Sequence, residues 1–447
     1  MKTLQTCFKL LSVSSLRFSI STRKWAGTAL LAVASVVLAP SLCFAAGKPV
    51  GHFVPVATYT VSGSVAEIVA TTPDGMALFY TDSEQHEVGV VDISNPRAPV
   101  ELGKIAVAGT PTSVAITPNG LWALAVVHGD PIDSEIDHVV VVRVSDGGVE
   151  RVIPLGGQPD SIAISADGKY AAIVIENERN EELNEGALPQ LPGGFLTIVD
   201  LVGAPAAWTT RDVVLTGLAD RFPEDPEPEF VDINAANQAA VTLQENNHVV
   251  IVDLPSGLVV GDWPAGTVTH AADLEDDDQI IFDDLLLNAR REPDAIAWTP
   301  AGNLITANEG DYDLDLNEGE FVGGRNFTIF SSTGAVVFDS GAEVEMLAAR
   351  ARLYNDGRSD AKGVEIEGVE IGNYAGQNFV FIGAERGNFV AVYLLGADES
   401  SPRFLQILAT GDRPEGLLAI PQRDLFVSAN EGDGTISIFA RFSNGSR

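Results

Sequence analysis

Cysteine is almost absent, since Cys7 and Cys43 are the two that occur among 447 residues. Both precede Ala45, after which we place the cleavage site of an N-terminal signal peptide. A chain cleaved there has no cysteine, which excludes a disulfide, a thiolate nucleophile and a cysteine metal site. We therefore expect packing alone to stabilise the mature protein.

Long hydrophobic runs are also scarce, and the one at residues 25–39 is consistent with that cleavage. Basic residues precede this run and small residues follow it, which is the order typical of a secretory signal. The run is about 15 residues long, whereas a membrane-spanning helix needs about 20. We expect a signal peptide at residues 1–45, a single domain at 46–447, export to the periplasm or the exterior, and no integral membrane span after cleavage.

Basic residues are few, because 27 Lys and Arg stand against 62 Asp and Glu, for a formal net charge of −35. The signal peptide holds five of the basic residues and no acidic one, so the mature chain is more negative still. A strongly negative surface repels phosphate groups. Neither nucleic acid nor anionic lipid is therefore expected as a partner.

Common catalytic and cofactor motifs are missing as well. The chain has no Gly-x-Ser-x-Gly nucleophile elbow, no His-Glu-x-x-His metal motif, and no glycine-rich phosphate or dinucleotide loop. Its six histidines are scattered through different contexts. We therefore expect no haem, copper, flavin or nicotinamide cofactor.

What the chain does contain is a strand-turn-strand unit that recurs seven times. Runs of β-branched residues are cut by Asp-Gly or Asn-Gly turns, a pattern that predicts hairpins. The spacing of about 45 to 70 residues is typical of a four-stranded propeller blade. We predict an all-β fold, a single seven-bladed β-propeller of four-stranded antiparallel blades, with copies that begin near residues 64, 110, 158, 227, 292, 362 and 413.

The last copy indicates how the propeller closes. It ends with residues 435–442 and has no fourth strand of its own. The alternating segment 53–61 can supply that strand, which would remove an exposed sheet edge. We therefore expect the N-terminal strand to pair with the seventh blade.

Polar residues cluster where the innermost strand of each copy begins and where its second strand ends. In an antiparallel meander these two places lie side by side at one mouth of the propeller. The acidic residues there are candidate metal ligands: Glu229, Glu245, Asp294, Glu309, Glu415 and Glu431. Their neighbours are candidates for ligand binding: Asp160, Glu176, Asn177, Asn246, Arg291, Asn308, Glu365, Glu385, Arg386, Arg413 and Asn430.

Carboxylate and amide oxygens, without cysteine or clustered histidine, favour Ca²⁺ or Mg²⁺ over zinc or copper. Ca²⁺ is therefore the candidate cofactor. A further candidate site is the loop with Asp311, Asp313 and Asp315, which lacks the glycine and glutamate that an EF-hand requires. The alternative interpretation is that all these side chains cap strand ends and bond to neighbouring blades.

The middle of the chain resembles a known family through residues 242–247, 249–253, 292–296, 307–311, 324–330 and 337–341. These segments are similar to the choice-of-anchor I family of secreted β-propellers, over about residues 55 to 440. The early blades, for example residues 90–96, resemble the YVTN and LVIVD propeller repeats more loosely. The resemblance implies a bacterial envelope or secreted protein, and some members are labelled alkaline phosphatase or phytase-like.

Two functions of different classes remain open. The first is a non-catalytic binding or scaffold propeller that uses its loop-rich acidic mouth for an ion, a small molecule or a protein partner. The second is a Ca²⁺-dependent phosphohydrolase, in which Arg291, Lys362 or Arg386 would orient the phosphate. No nucleophile or general base is identifiable for the second.

Overall fold

A computed structural model describes residues 50–62, 65–129, 136–177, 188–309 and 322–442. The predicted signal peptide and the loop residues Asp311, Asp313 and Asp315 lie outside these ranges. In the described ranges, no helix is long and apolar enough to cross a membrane.

The described strands form seven four-stranded antiparallel sheets and one two-stranded sheet, which confirms the predicted seven-bladed propeller. Strand β1 (His52–Thr60) comes first in the chain. Blade 1 contains β2 (Val69–Thr71), β3 (Ala77–Asp82), β4 (Glu87–Asp92) and β5 (Val100–Ala106). Blade 2 contains β6 (Thr110–Ile116), β7 (Trp122–His128), β8 (His138–Arg143) and β9 (Val149–Pro154). Blade 3 contains β10 (Pro159–Ile164), β11 (Tyr170–Ile175), β12 (Phe195–Asp200) and β13 (Thr209–Val214).

Blades 4 to 7 continue the same order, and the first strand of each is innermost. Blade 4 contains β14 (Pro228–Ile233), β15 (Gln238–Leu243), β16 (His248–Asp253) and β17 (Leu258–Pro264), and the two-stranded sheet contains β18 (Thr267–Ala272) and β19 (Asp284–Arg290). Blade 5 contains β20 (Pro293–Trp298), β21 (Leu304–Asn308), β22 (Asn326–Phe330) and β23 (Val336–Asp339), followed by helix α1 (Glu343–Ala351). Blade 6 contains β24 (Val369–Tyr374), β25 (Gln377–Ala384), β26 (Phe389–Leu395) and β27 (Arg403–Ala409), and blade 7 contains β28 (Pro414–Ile420), β29 (Leu425–Asn430) and β30 (Thr435–Phe442).

The burial of each strand follows its place in the blade. All five residues of β22 are buried, because neighbouring blades cover both faces of a middle strand. Outermost strands are much more exposed, and Val100 and Leu102 of β5 are 57% and 61% exposed. The Asp-Gly turn after β2 places Gly75 at φ +71°, a backbone conformation that glycine adopts without strain.

The N-terminal strand closes the propeller as predicted. β1 pairs antiparallel with β30, from His52 opposite Phe442 to Thr60 opposite Thr435. Phe53 is 2% exposed, and its ring lies among the aromatic rings of blades 6 and 7. The centroid distances are 5.1 Å to Tyr374, 5.5 Å to Phe379, 5.2 Å to Phe381 and 6.4 Å to Phe426.

A buried arginine joins three segments that the repeat pattern does not predict. Arg325 is fully buried and donates hydrogen bonds to the carbonyl oxygens of Asp273 at 3.2 Å, Ser359 at 3.0 Å and Ala361. Its guanidinium lies 3.9 Å from the carboxylate of Glu345 on α1. The β18–β19 connection, α1 and the segment before β24 are therefore held by one side chain.

Candidate functional site

One position, in or two residues before the innermost strand, carries an acidic residue in six of the seven blades. It follows a proline that is the first residue of the strand in blades 3, 4, 5 and 7 and the second residue in blade 2. That proline pairs with the end of the second strand, as Pro293 does with Asn308, so the position lies at the predicted mouth. The residues, in blade order, are Glu67, Thr112, Asp160, Glu229, Asp294, Glu367 and Glu415. We call these six acidic residues the carboxylate ring, and Thr112 occupies the seventh place.

The innermost strands of all seven blades surround one cavity of about 520 Å³. Asp160, Glu229, Asp294, Glu367 and Glu415 line it. This volume is in the range of small-molecule sites, which is about 300 to 1,000 Å³. The ring therefore faces a space large enough for a ligand.

Burial and mutual repulsion disfavour the ionised form of the ring. Burial, followed by repulsion from neighbouring carboxylates, raises the pKa of Glu229 and Glu415 well above the usual value. Burial raises the pKa of Asp294 in the same way, although Lys362 opposes the shift. Burial, followed by repulsion from Glu309, Glu385 and Asp294, raises the pKa of Glu367 well above the usual value. A cation in the cavity would relieve this repulsion.

Glu67 offers a test of this rise in pKa. Burial first, and then repulsion from Glu431, Asp82 and Glu84, raises the pKa of Glu67 to about 7, against a hydrogen bond from Ser83. The folded protein thus binds a proton that the unfolded chain releases at lower pH, so Glu67 reduces stability as pH rises from about 4.5 to 7.

We expect Glu67→Gln to raise the melting temperature at pH 8 and to change it little at pH 4.5, where Glu67 is protonated in the folded state. Thermal unfolding at the two pH values measures the difference. The exposed Glu224→Gln is the matched control. An equal gain at both pH values would contradict the expectation.

Two groups of three carboxylates lie close enough together to hold a metal ion. Asp160, Glu176 and Glu229 form the first, and Glu309, Glu365 and Glu367 form the second. Within each group the ligand atoms lie within 4.8 Å of one another. Ca²⁺ binds oxygen at about 2.3 to 2.6 Å, so two ligands of one ion lie at most about 5 Å apart.

Basic side chains balance part of the charge beside blades 5 to 7. Lys362 Nζ lies 2.8 Å from Glu309 Oε1. Arg386 Nε donates to Glu365 Oε2 at 2.9 Å and to Glu385 Oε2 at 2.7 Å. Arg413 lies 3.6 Å from Glu431 and 4.0 Å from Glu385, and Arg358 also donates to Glu365.

A second acidic level lines the same cavity and was not predicted from the sequence. Asp232 accepts the backbone N–H of Trp298 at 2.7 Å, and Glu370 accepts that of Ala419 at 3.1 Å. Burial raises the pKa of Glu370 to about 8, with a smaller contribution from Asp232. Both residues lie three positions after a ring residue, so the spacing Glu-x-x-Asp/Glu is the signal that would have found them.

Several predicted ligand residues bond within the protein instead of lining the cavity. Asn308 donates to Asn326 and Thr328, and Asn430 donates to Thr435 and Ser437. Asn177 donates to Asp225, and Asn246 to the carbonyl oxygen of Asp225. Arg291 donates to Asp339 and to the carbonyl oxygen of Ala265, both at 2.8 Å. Glu245 follows β15 and is outside the cavity lining.

Comparisons with known proteins agree with this architecture. The sequence model of the choice-of-anchor I domain matches residues 67–224, 206–321 and 313–398. The sequence matches none of the curated proteins with which it was compared.

Similar solved structures include three of low sequence identity. The Cps50 (Swd1) β-propeller domain of Myceliophteria thermophila is 10% identical, with a TM-score of 0.56, and the match covers 87% of this chain and 99% of that one. Hydrazine synthase of Kuenenia stuttgartiensis is 15% identical, with a TM-score of 0.54, covering 87% and 98%. U3-55K is 9% identical, with a TM-score of 0.56, covering 86% and 98%. At these identities the likeness concerns the fold alone.

Proposed function

Because the chain belongs to the choice-of-anchor I family, we propose that it is an exported binding or scaffold propeller that holds Ca²⁺ at its acidic channel mouth. Two features support export: the basic, apolar and small residues in signal-peptide order at the N-terminus, and a family named for anchored proteins. The periplasm and the exterior both fit these features.

One observation carries the choice of ligand. Asp160, Glu176 and Glu229 come from two neighbouring blades, and their ligand atoms lie within 4.8 Å of one another. Close carboxylates in a space of reduced solvent repel one another unless a proton or a cation neutralises them. Ca²⁺ prefers carboxylate oxygen and accepts irregular geometry, which suits ligands supplied by separate blades.

Thermal unfolding of the purified mature protein tests the proposal. After treatment with chelator, millimolar Ca²⁺ is compared with NaCl at matched ionic strength, because salt also screens surface repulsion. We expect Ca²⁺ to raise the melting temperature further, with stabilisation of about 2.7 kcal/mol at a hundredfold excess over the dissociation constant.

Two double variants make the test specific. Asp160→Asn with Glu229→Gln should abolish the Ca²⁺ increment. Glu275→Gln with Asp276→Asn removes the same charge from an exposed acidic segment and should preserve it. Equal melting temperatures in the two salts, or an increment that survives the first variant, would overturn the proposal.

No feature of this site specifically favours a phosphohydrolase. Lys362 and Arg386 bind Glu309, Glu365 and Glu385, and Arg291 binds Asp339 on an outer strand. The basic groups that would orient a phosphate are thus engaged with carboxylates. We do not propose this activity.

A further inference from the structure

The central cavity has acidic residues at two depths. Glu229 of the carboxylate ring and Asp232 lie three residues apart in β14, and Glu367 and Glu370 have the same spacing in blade 6. A strand rises about 3.3 Å per residue, and the register shift between Pro228 and Val231 shortens this span, so the two levels are separated by less than about 10 Å along the strand. Both levels line the same cavity.

The wall of the cavity also contains apolar residues. Its lining includes six aromatic and aliphatic residues: Ile162, Phe230, Ile296, Trp298, Ile371 and Leu417. Small-molecule sites combine such walls with a few placed polar groups. Aromatic faces also attract ammonium groups. A metal ion uses none of this apolar surface, whereas an organic cation does.

The ring contains carboxylates that the protein itself leaves unpaired. In the part of the chain that the structure describes, the side chains of Glu229 and Glu415 form neither a hydrogen bond nor an ion pair. The groups that act on them are other acidic residues, Glu176 and Asp160 on Glu229, and Glu67 and Glu431 on Glu415. An unpaired carboxylate that is partly withdrawn from water is unfavourable. Both residues line the cavity.

The deeper level suits an ammonium group better than a metal ion. Asp232 and Glu370 each accept a backbone N–H already, so part of their bonding capacity is used. Ca²⁺ takes six to eight oxygen ligands, which two such carboxylates do not supply. An ammonium group offers three donors and needs about three acceptors.

We infer that the cavity binds a linear aliphatic diamine or polyamine, with one ammonium group at the carboxylate ring and another between Asp232 and Glu370. The methylene chain lies against Phe230, Trp298 and Leu417. This inference rests on the proposed binding function and names a second ligand class for the same channel.

Calorimetric titration of the purified mature protein tests the inference with 1,5-diaminopentane, spermidine, 1-aminopentane and Ca²⁺ as probes. Titrations are made above pH 8, because the pKa of Glu370 is about 8. We expect the diamine to bind at least about tenfold more tightly than the monoamine, since it gains a second charge-assisted contact. A diamine that binds no better than the monoamine would overturn the inference.

Glu370→Gln keeps an oxygen that accepts the Ala419 N–H but removes the charge. It should reduce the diamine to the affinity of the monoamine and leave Ca²⁺ binding unchanged. Glu224→Gln, on the exposed surface, should change neither. If Glu370→Gln does not fold, the double variant Glu229→Gln with Glu415→Gln tests the outer level and should weaken both amines.

The two proposals fail separately in this experiment. Ca²⁺ binding without diamine preference overturns only the present inference. Full diamine affinity in Glu370→Gln also overturns it. Absence of binding by Ca²⁺ and by both amines overturns the proposed function as well.

Discussion

Phe53→Ala is expected to lower the free energy of unfolding by about 3 to 5 kcal/mol. Phe53 is 2% exposed, and its ring contacts Tyr374, Phe381 and Phe426 across blades 6 and 7. Removing the ring leaves a cavity at the point where β1 closes the propeller. Aromatic pairs of this kind also contribute about 0.5 to 1.5 kcal/mol each beyond their buried area.

Urea unfolding of the two proteins measures the loss. Phe442→Ala is the matched control, because Phe442 pairs in the same two strands and is 44% exposed. We expect it to cost less than about 1 kcal/mol. Equal losses at the two positions would contradict a closure that depends on the buried ring.

Arg325→Met is expected to cost about 3 to 5 kcal/mol, because it leaves the carboxylate of Glu345 buried without its positive partner. Both side chains are fully buried and lie 3.9 Å apart. The substitution also removes the donors to the carbonyl oxygens of Asp273, Ser359 and Ala361. The β18–β19 connection, α1 and the segment before β24 thus lose their shared contact.

The double variant Arg325→Met with Glu345→Leu isolates the uncompensated charge. It should recover part of the stability lost by Arg325→Met, since a buried pair replaced as a whole costs less than a broken one. Urea unfolding at neutral pH gives both values. A double variant no more stable than the single one would show that the carbonyl contacts, and not the charge, dominate.

The repeat made the blades and most of the carboxylate ring predictable. Where proline precedes the acidic residue, as at Asp160, Glu229, Asp294 and Glu415, the copies align without ambiguity. Blade 6 lacks that proline, and the sequence favoured Glu365 where the structure has Glu367 two residues later. Glu365 is buried beneath Arg358 and Arg386 instead.

Side-chain direction was the part that the repeat could not provide. The strand-end position places Asn308 near the mouth, but its amide bonds to Asn326 and Thr328 within its own blade.

The β18–β19 hairpin was not predicted from the sequence for a different reason. It interrupts the repeat, and its buried face contains few apolar residues, among them Val268 and Leu286.

The pairing of β1 with β30 determines the order in which the molecule can be assembled. β1 leaves the ribosome before the other strands of the propeller, and its hydrogen-bonded partner leaves after all of them. The entropic cost of joining distant segments grows only with the logarithm of the chain length between them, so the distance does not prevent pairing. A chain that stops before Thr435 can stack six blades, but the propeller stays open and one strand edge remains unpaired. Unpaired edges of this kind promote association with other chains. Complete synthesis is therefore a condition for a closed ring.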